Sequence, residues 1–171
     1  MPLLDNQPLE TLTPSRLWAV VDTPTRALAA RVLFEGDREM RAQADLAIAT
    51  MLGFRPAGVR KLSIEKRIDY LVRRVRPDDA LASSLLMALH LGCRHELLSG
   101  FLDALQIPND DGLIASDHEL GPVAVAQLEA AVAVIRERFD AAEVELYLAS
   151  LLVLDPEVWG ELREFLRHDV E

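Results

Sequence analysis

The segment TPTRALAARVLFEGDREMRAQADLAIATMLG, residues 23–53, indicates the fold class most clearly because it holds a helix start signal followed by two stop signals. Thr23 and Pro24 place a capping side chain before a proline in the first helical turn, where the missing N–H costs nothing. Gly36 and Gly53 follow the two apolar stretches, and glycine most readily takes the left-handed conformation past a helix end. The segment therefore predicts two successive helices, 24–35 and 38–52.

Similar signals recur along the rest of the chain. Asp155 with Pro156 repeats the capped proline start, Asp140 with Glu143 forms a capping box, and Gly92 is a further stop signal. Apolar residues recur at helical spacing, and no segment sustains the period of two that marks a strand. We expect an all-α fold, a compact bundle of about eight or nine short helices arranged as helical hairpins. The other predicted helices are 14–21, 57–75, 79–91, 94–106, 122–138, 141–153 and 156–168.

The chain of 171 residues is predicted to form a single all-helical domain over 13–171, with residues 1–12 as an N-terminal tail or docking arm. Cys93 is the only cysteine, which excludes an intramolecular disulfide and is typical of a reducing compartment. The N-terminus lacks signal-peptide features, and the apolar runs fall short of the roughly 20 residues that span a bilayer. We expect a soluble, cytoplasmic protein that does not enter a membrane.

The net charge of −10 is distributed unevenly along the chain. Residues 1–54 carry five basic against seven acidic residues, and residues 77–171 carry five against nineteen. Residues 55–76, called the basic stretch below, carry eight Arg and Lys against two acidic residues. Two interpretations are open. The basic stretch exchanges ion pairs with the acidic part of the same molecule, or it contacts nucleic acid.

Residues 49–62, ATMLGFRPAGVRKL, join the end of one predicted helix to the start of the next. With a small residue at Ala49, a glycine four positions later and apolar residues after the turn, they resemble the helix-turn-helix of bacterial DNA-binding regulators. The resemblance implies that residues 45–62 bind DNA through a second helix in the major groove. The same pattern is also typical of a tightly packed helical hairpin. The implied DNA-contacting residues are Arg55, Arg60, Lys61, Arg67 and Arg74.

His90, Cys93 and His95 bring nitrogen and sulfur atoms together within six residues. Zinc sites use four protein ligands, or three and a water molecule, and the sequence offers no further Cys or matching His pair. We therefore expect His90 and Cys93 to be buried, and we predict neither a metal nor a cofactor. A nucleophilic Cys93 would need a base and a polarising group, for which no motif is present, so no catalytic residue is assigned.

The predicted irregular segment 107–121 is long for a connection within a helical bundle, and long loops often carry function. It concentrates polar residues around Gly112 without the alternating ligand positions of a calcium loop. We expect a solvated turn, with a site for acid–base catalysis as the alternative. The residues that would form such a site are Asn109, Asp110, Asp111, Asp117, His118 and Glu119.

The missing catalytic cluster and the uneven charge favour a non-catalytic protein-interaction or regulatory helical module. Such a module would bind a protein partner or a second copy of itself as a homodimer. The first alternative is a DNA-binding transcriptional regulator that uses residues 45–62. The second is an enzyme with its site near residues 107–121, so the question of catalysis stays open, with its absence favoured.

Overall fold

A computed structural model describes Leu4 and residues 8–166, and within these residues the chain is all-α with one two-stranded hairpin. The all-α prediction is confirmed. The strands β1 (Asn109–Asp110) and β2 (Leu113–Ile114) pair antiparallel. Short 3-10 helices cover Leu9–Thr11 and Gly160–Leu162. The α-helices are α1 (Pro14–Val20), α2 (Thr23–Glu35), α3 (Arg38–Leu52), α4 (Pro56–Val59), α5 (Ile64–Arg73), α6 (Asp79–Cys93), α7 (His95–Ala104), α8 (Val125–Arg138), α9 (Ala141–Leu154), α10 (Pro156–Trp159) and α11 (Arg163–Leu166).

The chain divides into two compact units. The central unit comprises residues 21–93, and the terminal unit comprises residues 1–20 and 94–171. The central unit carries twelve Arg and Lys against nine Asp and Glu, whereas the terminal unit carries six against nineteen. The uneven charge along the sequence therefore becomes a difference between the two units.

Helix α2 lies at the centre of the central unit, where it packs against both α5 and α6. Helix α3 packs against α2, α4, α5 and α6. Each large apolar side chain buried in such a core contributes about 1.5–3 kcal/mol of transfer free energy. The fully buried side chains of this core include Leu33, Ile48, Leu71, Leu85, Leu86 and Leu89.

The start signal before α2 lies at the predicted place, but the capping residue is Asp22. Its Oδ1 accepts a hydrogen bond from the backbone N–H of Thr25 at 3.0 Å, and Thr23 is the first residue of the helix. The second capped proline is confirmed, since Asp155 accepts from the backbone N–H of Val158 at 3.2 Å and begins α10. These caps bond to residues three positions away, so they can be identified from neighbouring residues alone.

Gly92 does not end a helix, because α6 continues to Cys93. A Cβ atom at Gly92 would overlap Cγ1 of Val32 in α2 and lie 2.9 Å from its Cγ2. The glycine is therefore required by the close approach of α2 and α6 rather than by a turn.

Replacing Gly92 with alanine is expected to lower the free energy of unfolding by about 1–2 kcal/mol. Overpacking costs roughly 1–3 kcal/mol, and the better helix propensity of alanine offsets up to about 1 kcal/mol of that. Urea denaturation followed by circular dichroism measures the change. The double variant Val32→Ala, Gly92→Ala should recover the loss, and a double variant as unstable as the sum of both single variants would contradict this account.

The single helix predicted over 57–75 is wrong. Helix α4 is one turn long, and a second helix begins at Ile64. The break follows from Ser63, whose Oγ accepts from the backbone N–H of Lys66 at 3.3 Å and caps α5. The hydroxyl of a serine can bond to nearby backbone groups, which disfavours serine inside a helix and favours it at an N-cap. Ser63 therefore starts a new helix.

Phe101 forms the aromatic centre of the terminal unit. It is fully buried, meets Tyr147 edge to face at a centroid distance of 5.5 Å, and lies 5.7 Å from the ring of Trp159. Burial raises the pKa of Tyr147 well above its usual value, which keeps the phenol neutral. Helix α7 thereby packs its aromatic residue against residues from α9 and α10.

The described part of the predicted N-terminal arm packs onto the terminal unit. Leu4 and Leu9 are buried, and the backbone N–H of Leu4 donates to Oε1 of Glu145 in α9 at 3.0 Å. The helix predicted over 156–168 consists of α10, a 3-10 turn and α11 as far as Leu166. Its last two predicted residues lie outside the described residues.

A helix that crosses a bilayer needs about 20 predominantly apolar residues. None of the helices within the described residues is long and apolar enough to do so.

Candidate interaction surface

The segment 107–121 contains a β-hairpin that the sequence analysis missed. Asp111 and Gly112 both have positive φ, 51° and 85°, as the two central residues of a type I′ turn require. The Asp-Gly pair was the available signal, since this dipeptide favours that turn between short strands. The strands contain two residues each, which is too short for a period of two to show.

The hairpin is held against α7. Nδ1 of His95 lies 3.3 Å from Oδ2 of Asp111 and 3.2 Å from its backbone oxygen. A Cβ atom at Gly112 would lie 2.5 Å from Cβ of Leu98, so only glycine fits there. Oδ1 of Asn109 accepts from the backbone N–H of Gly112 at 3.0 Å. Asn109 and Asp111 thus take part in shaping the turn.

The other residues proposed for this loop are exposed: Asp110, Asp117, His118 and Glu119. The described residues contain no group of three His, Cys, Asp or Glu side chains that could hold a metal ion. His90 is buried in α6 as expected, whereas the expected burial of Cys93 is wrong. Cys93 is the last residue of α6 and is exposed to solvent.

The basic stretch separates into two kinds of residue. Arg55, Arg60, Lys61 and Arg74 are exposed. Arg67 instead extends its Nη1 to both carboxylate oxygens of a buried aspartate in α3, at 3.1 Å and 3.2 Å. This guanidinium is therefore engaged inside the central unit, and four of the five residues proposed to contact DNA remain on the surface.

The turn of the suggested helix-turn-helix is present, but the helix that follows it is a single turn long. α3 ends at Leu52, the following Gly53 has the left-handed conformation, and the backbone N–H of Phe54 donates to the carbonyl of Ala49 at 2.9 Å. The following helix α4 has four residues, with Arg55 before it and Arg60 after it. A recognition helix contacts bases with residues along one helical face, which a single turn does not provide.

A surface that the sequence analysis missed lies between α3 and α6 on the central unit. Two adjoining cavities of about 380 Å³ and about 620 Å³ share Gln43 and Leu46 in their walls. We call the pair the methionine groove. The first cavity is also lined by Ala47, Thr50, Met51, Val75, Arg76, Pro77, Asp78 and Leu81, and the second by Asp37, Glu39, Met40, Ala42, Ser84 and Met87.

The methionine groove has an adaptable apolar lining. Met40, Met51 and Met87 line it, and these are all the methionines of the chain apart from Met1. Leu46 stands at the junction of the two cavities with 56% of its surface exposed. Methionine has an unbranched, flexible side chain with a polarisable sulfur, which suits surfaces that adapt to an apolar partner.

The signal for this groove in the sequence is weak. Met40, Gln43, Ala47 and Thr50 recur every three or four residues along α3, on the side of the helix away from its buried residues. That spacing predicts a helical face, but it does not indicate whether another helix covers the face.

Comparisons with protein-family models, with curated proteins and with solved structures find no match for this chain.

Proposed function

We propose that the protein is a non-catalytic interaction module that binds a partner protein in the methionine groove. The observation that carries this proposal is the exposure of Leu46 at the junction of two methionine-lined cavities. Isolated exposed leucines are normal on protein surfaces, whereas an exposed apolar residue within a concave apolar lining is typical of a binding site. The cytoplasmic location expected from the lone cysteine is part of the same proposal.

The distribution of exposed apolar residues supports the choice of the central unit. Among the described residues, seven large apolar side chains are exposed, and five of them belong to this unit. Burial of such a side chain in an interface contributes up to about 1.5–3 kcal/mol, and a few such anchors usually dominate the affinity. The five residues are Leu28, Leu46, Phe54, Met87 and Leu91.

Replacing Leu46 with glutamate is expected to abolish partner binding without unfolding the chain. A carboxylate at the junction of the cavities would lose its hydration when a partner covers it. Leu28→Glu is the matched control, because Leu28 is 53% exposed in the same unit and does not line the groove. Affinity capture from native cell extract with the original chain and both variants measures the effect by quantitative mass spectrometry.

A supporting result is a set of proteins that the original chain and Leu28→Glu retain and that Leu46→Glu loses at least about tenfold, which corresponds to 1.4 kcal/mol. Equal capture by all three chains would overturn the proposal. Circular dichroism of the variants should show an unchanged helical signal.

Contact with nucleic acid through the basic stretch is a second candidate, favoured by the exposure of Arg55, Arg60, Lys61 and Arg74. Capture repeated with nuclease separates the two candidates. The double variant Arg60→Glu, Lys61→Glu should keep the protein partners of the methionine groove. Loss of those partners in the double variant, together with loss of a duplex binding that the original chain shows, would make the basic stretch the functional surface.

A further inference from the structure

The shape of the methionine groove identifies the kind of segment that fits it. Two walls of the groove are the helices α3 and α6, whose backbone donors and acceptors are bonded internally, and a third is the non-helical segment 75–78, which contains no strand. An extended peptide would therefore find no sheet edge to pair with, whereas a helix satisfies its own backbone groups. The groove residues of α6 recur every third position, at Leu81, Ser84 and Met87. Such a ridge is the feature that a second helix packs against.

The length of the occupant follows from α3. The lining residues along this helix run from its capping residue Asp37 to Met51, a span of about 21 Å at 1.5 Å per residue. A helix lying along it would need about 15 residues. Its apolar anchors would recur near i, i+4, i+7 and i+11, with the outer anchors at Met40 and Met51 and the central ones beside Leu46.

The two ends of the groove differ in charge. At one end Asp37 is engaged in capping α3, since its Oδ1 accepts from the backbone N–H groups of Glu39 and Met40, and the carboxylate of Glu39 is exposed. At the other end Arg76 lines the groove and is exposed.

Two further observations define these ends. Asp78, beside Arg76, uses its carboxylate to cap α6 by accepting from the backbone N–H of Leu81 at 2.9 Å. At the opposite end, Arg38 and Arg41 lie on the side of α3 away from Gln43. Both capping carboxylates keep their charge, but each faces the positive N-terminal end of its helix, which offsets about half a unit of charge. The groove is therefore acidic at the end with Asp37 and Glu39, and Arg76 is its cationic group at the other end.

From this arrangement we infer that the methionine groove binds an amphipathic helix of about four turns from another protein, acidic at the end near Arg76 and basic at the end near Glu39. The inference rests on the proposed function and specifies the chemistry of the partner.

Three fluorescein-labelled peptides of about 15 residues test the inference. All share a leucine face at i, i+4, i+7 and i+11 on an alanine and glutamine background. The first has glutamates in its first turn and lysines in its last, the second has lysines at both ends, and the third has glutamates at both ends. Fluorescence anisotropy measures binding to the original chain and to Glu39→Lys, Arg76→Glu and Leu46→Glu.

The original chain should bind the first peptide about fivefold more tightly than either of the others, as expected for a few exposed charge pairs. Arg76→Glu makes both ends of the groove acidic and should shift the preference to the lysine peptide. Glu39→Lys makes both ends basic and should shift it to the glutamate peptide. Leu46→Glu should bind none of them, and a proline in the middle of the first peptide should abolish its binding.

Several outcomes would overturn the inference. Equal binding of all three peptides that is lost in Leu46→Glu would remove the charge order and leave the interaction module intact. Absence of Leu46-dependent peptide binding, alongside Leu46-dependent capture from extract, would show that the partner is not a helix of this type. A dimer in analytical ultracentrifugation that Leu46→Glu converts to monomer would place a second copy in the groove.

Discussion

Replacing Asp45 with alanine is expected to lower the free energy of unfolding by about 3–5 kcal/mol, because it leaves a largely enclosed arginine without its counter-charge. Nη1 of Arg67 lies 3.1 Å and 3.2 Å from the two carboxylate oxygens of Asp45. The side chain of Asp45 is 3% exposed and that of Arg67 is 14% exposed, so water replaces the lost interaction poorly. The guanidinium carbon also lies 4.9 Å from the ring centroid of Phe34, which holds the arginine in place.

Urea denaturation followed by circular dichroism measures this loss. The matched control is Asp69→Ala, which breaks the pair of Asp69 with Arg73 at 2.7 Å. Both side chains of that pair are at least 60% exposed, so the expected change is about 0–1 kcal/mol. The double variant Asp45→Leu, Arg67→Met should recover most of the stability, since it removes both buried charges. Similar losses for Asp45→Ala and Asp69→Ala would contradict the assignment of a buried pair.

Phe101→Ala should destabilise the terminal unit by about 3–5 kcal/mol, the usual cost of truncating a buried phenylalanine. The ring is completely buried, and its removal leaves a cavity between Tyr147 and Trp159. The edge-to-face contact with Tyr147, at an interplanar angle of 89°, is lost as well. Tryptophan fluorescence reports unfolding of this unit in guanidinium chloride, since Trp159 lies at the edge of the cavity and Trp18 is buried in the same unit.

Phe54→Ala is the control for the aromatic truncation. Phe54 is 55% exposed, and exposed substitutions usually change stability by no more than about 0.5 kcal/mol. A loss for Phe101→Ala as small as that for Phe54→Ala would show that the aromatic cluster does not stabilise the fold.

Helix positions were predictable from sequence where the signal and its effect are close together. The bounds 38–52 match α3, and the start at Pro156 matches α10. The predictions were wrong where a residue distant in sequence determines the local structure, or where two local signals compete. Gly92 resembles a helix stop signal, but a glycine is needed there because the position lies against Val32 in another helix. Ser63 interrupts an apolar spacing that by itself predicts one continuous helix.

The candidate surfaces likewise combine features set by neighbouring residues with features set by residues distant in sequence. The sequence identifies the basic stretch by composition, but it cannot separate Arg67 from Arg60, since both are arginines in one charged segment. The structure distinguishes the two arginines because Arg67 bonds to Asp45, which lies 22 residues away in sequence but 3.1 Å away in space. The methionine groove depends in the same way on which faces of α3 and α6 stay uncovered.

The sequence by itself determined the all-α class, most helix starts and the uneven charge, because caps, apolar periodicity and composition act over a few residues. Only the tertiary structure decided the division into two units, the burial of the Asp45–Arg67 pair and the opening between α3 and α6. These features depend on how helices distant in sequence pack together, and that packing is set by the sum of many weak contacts across the core.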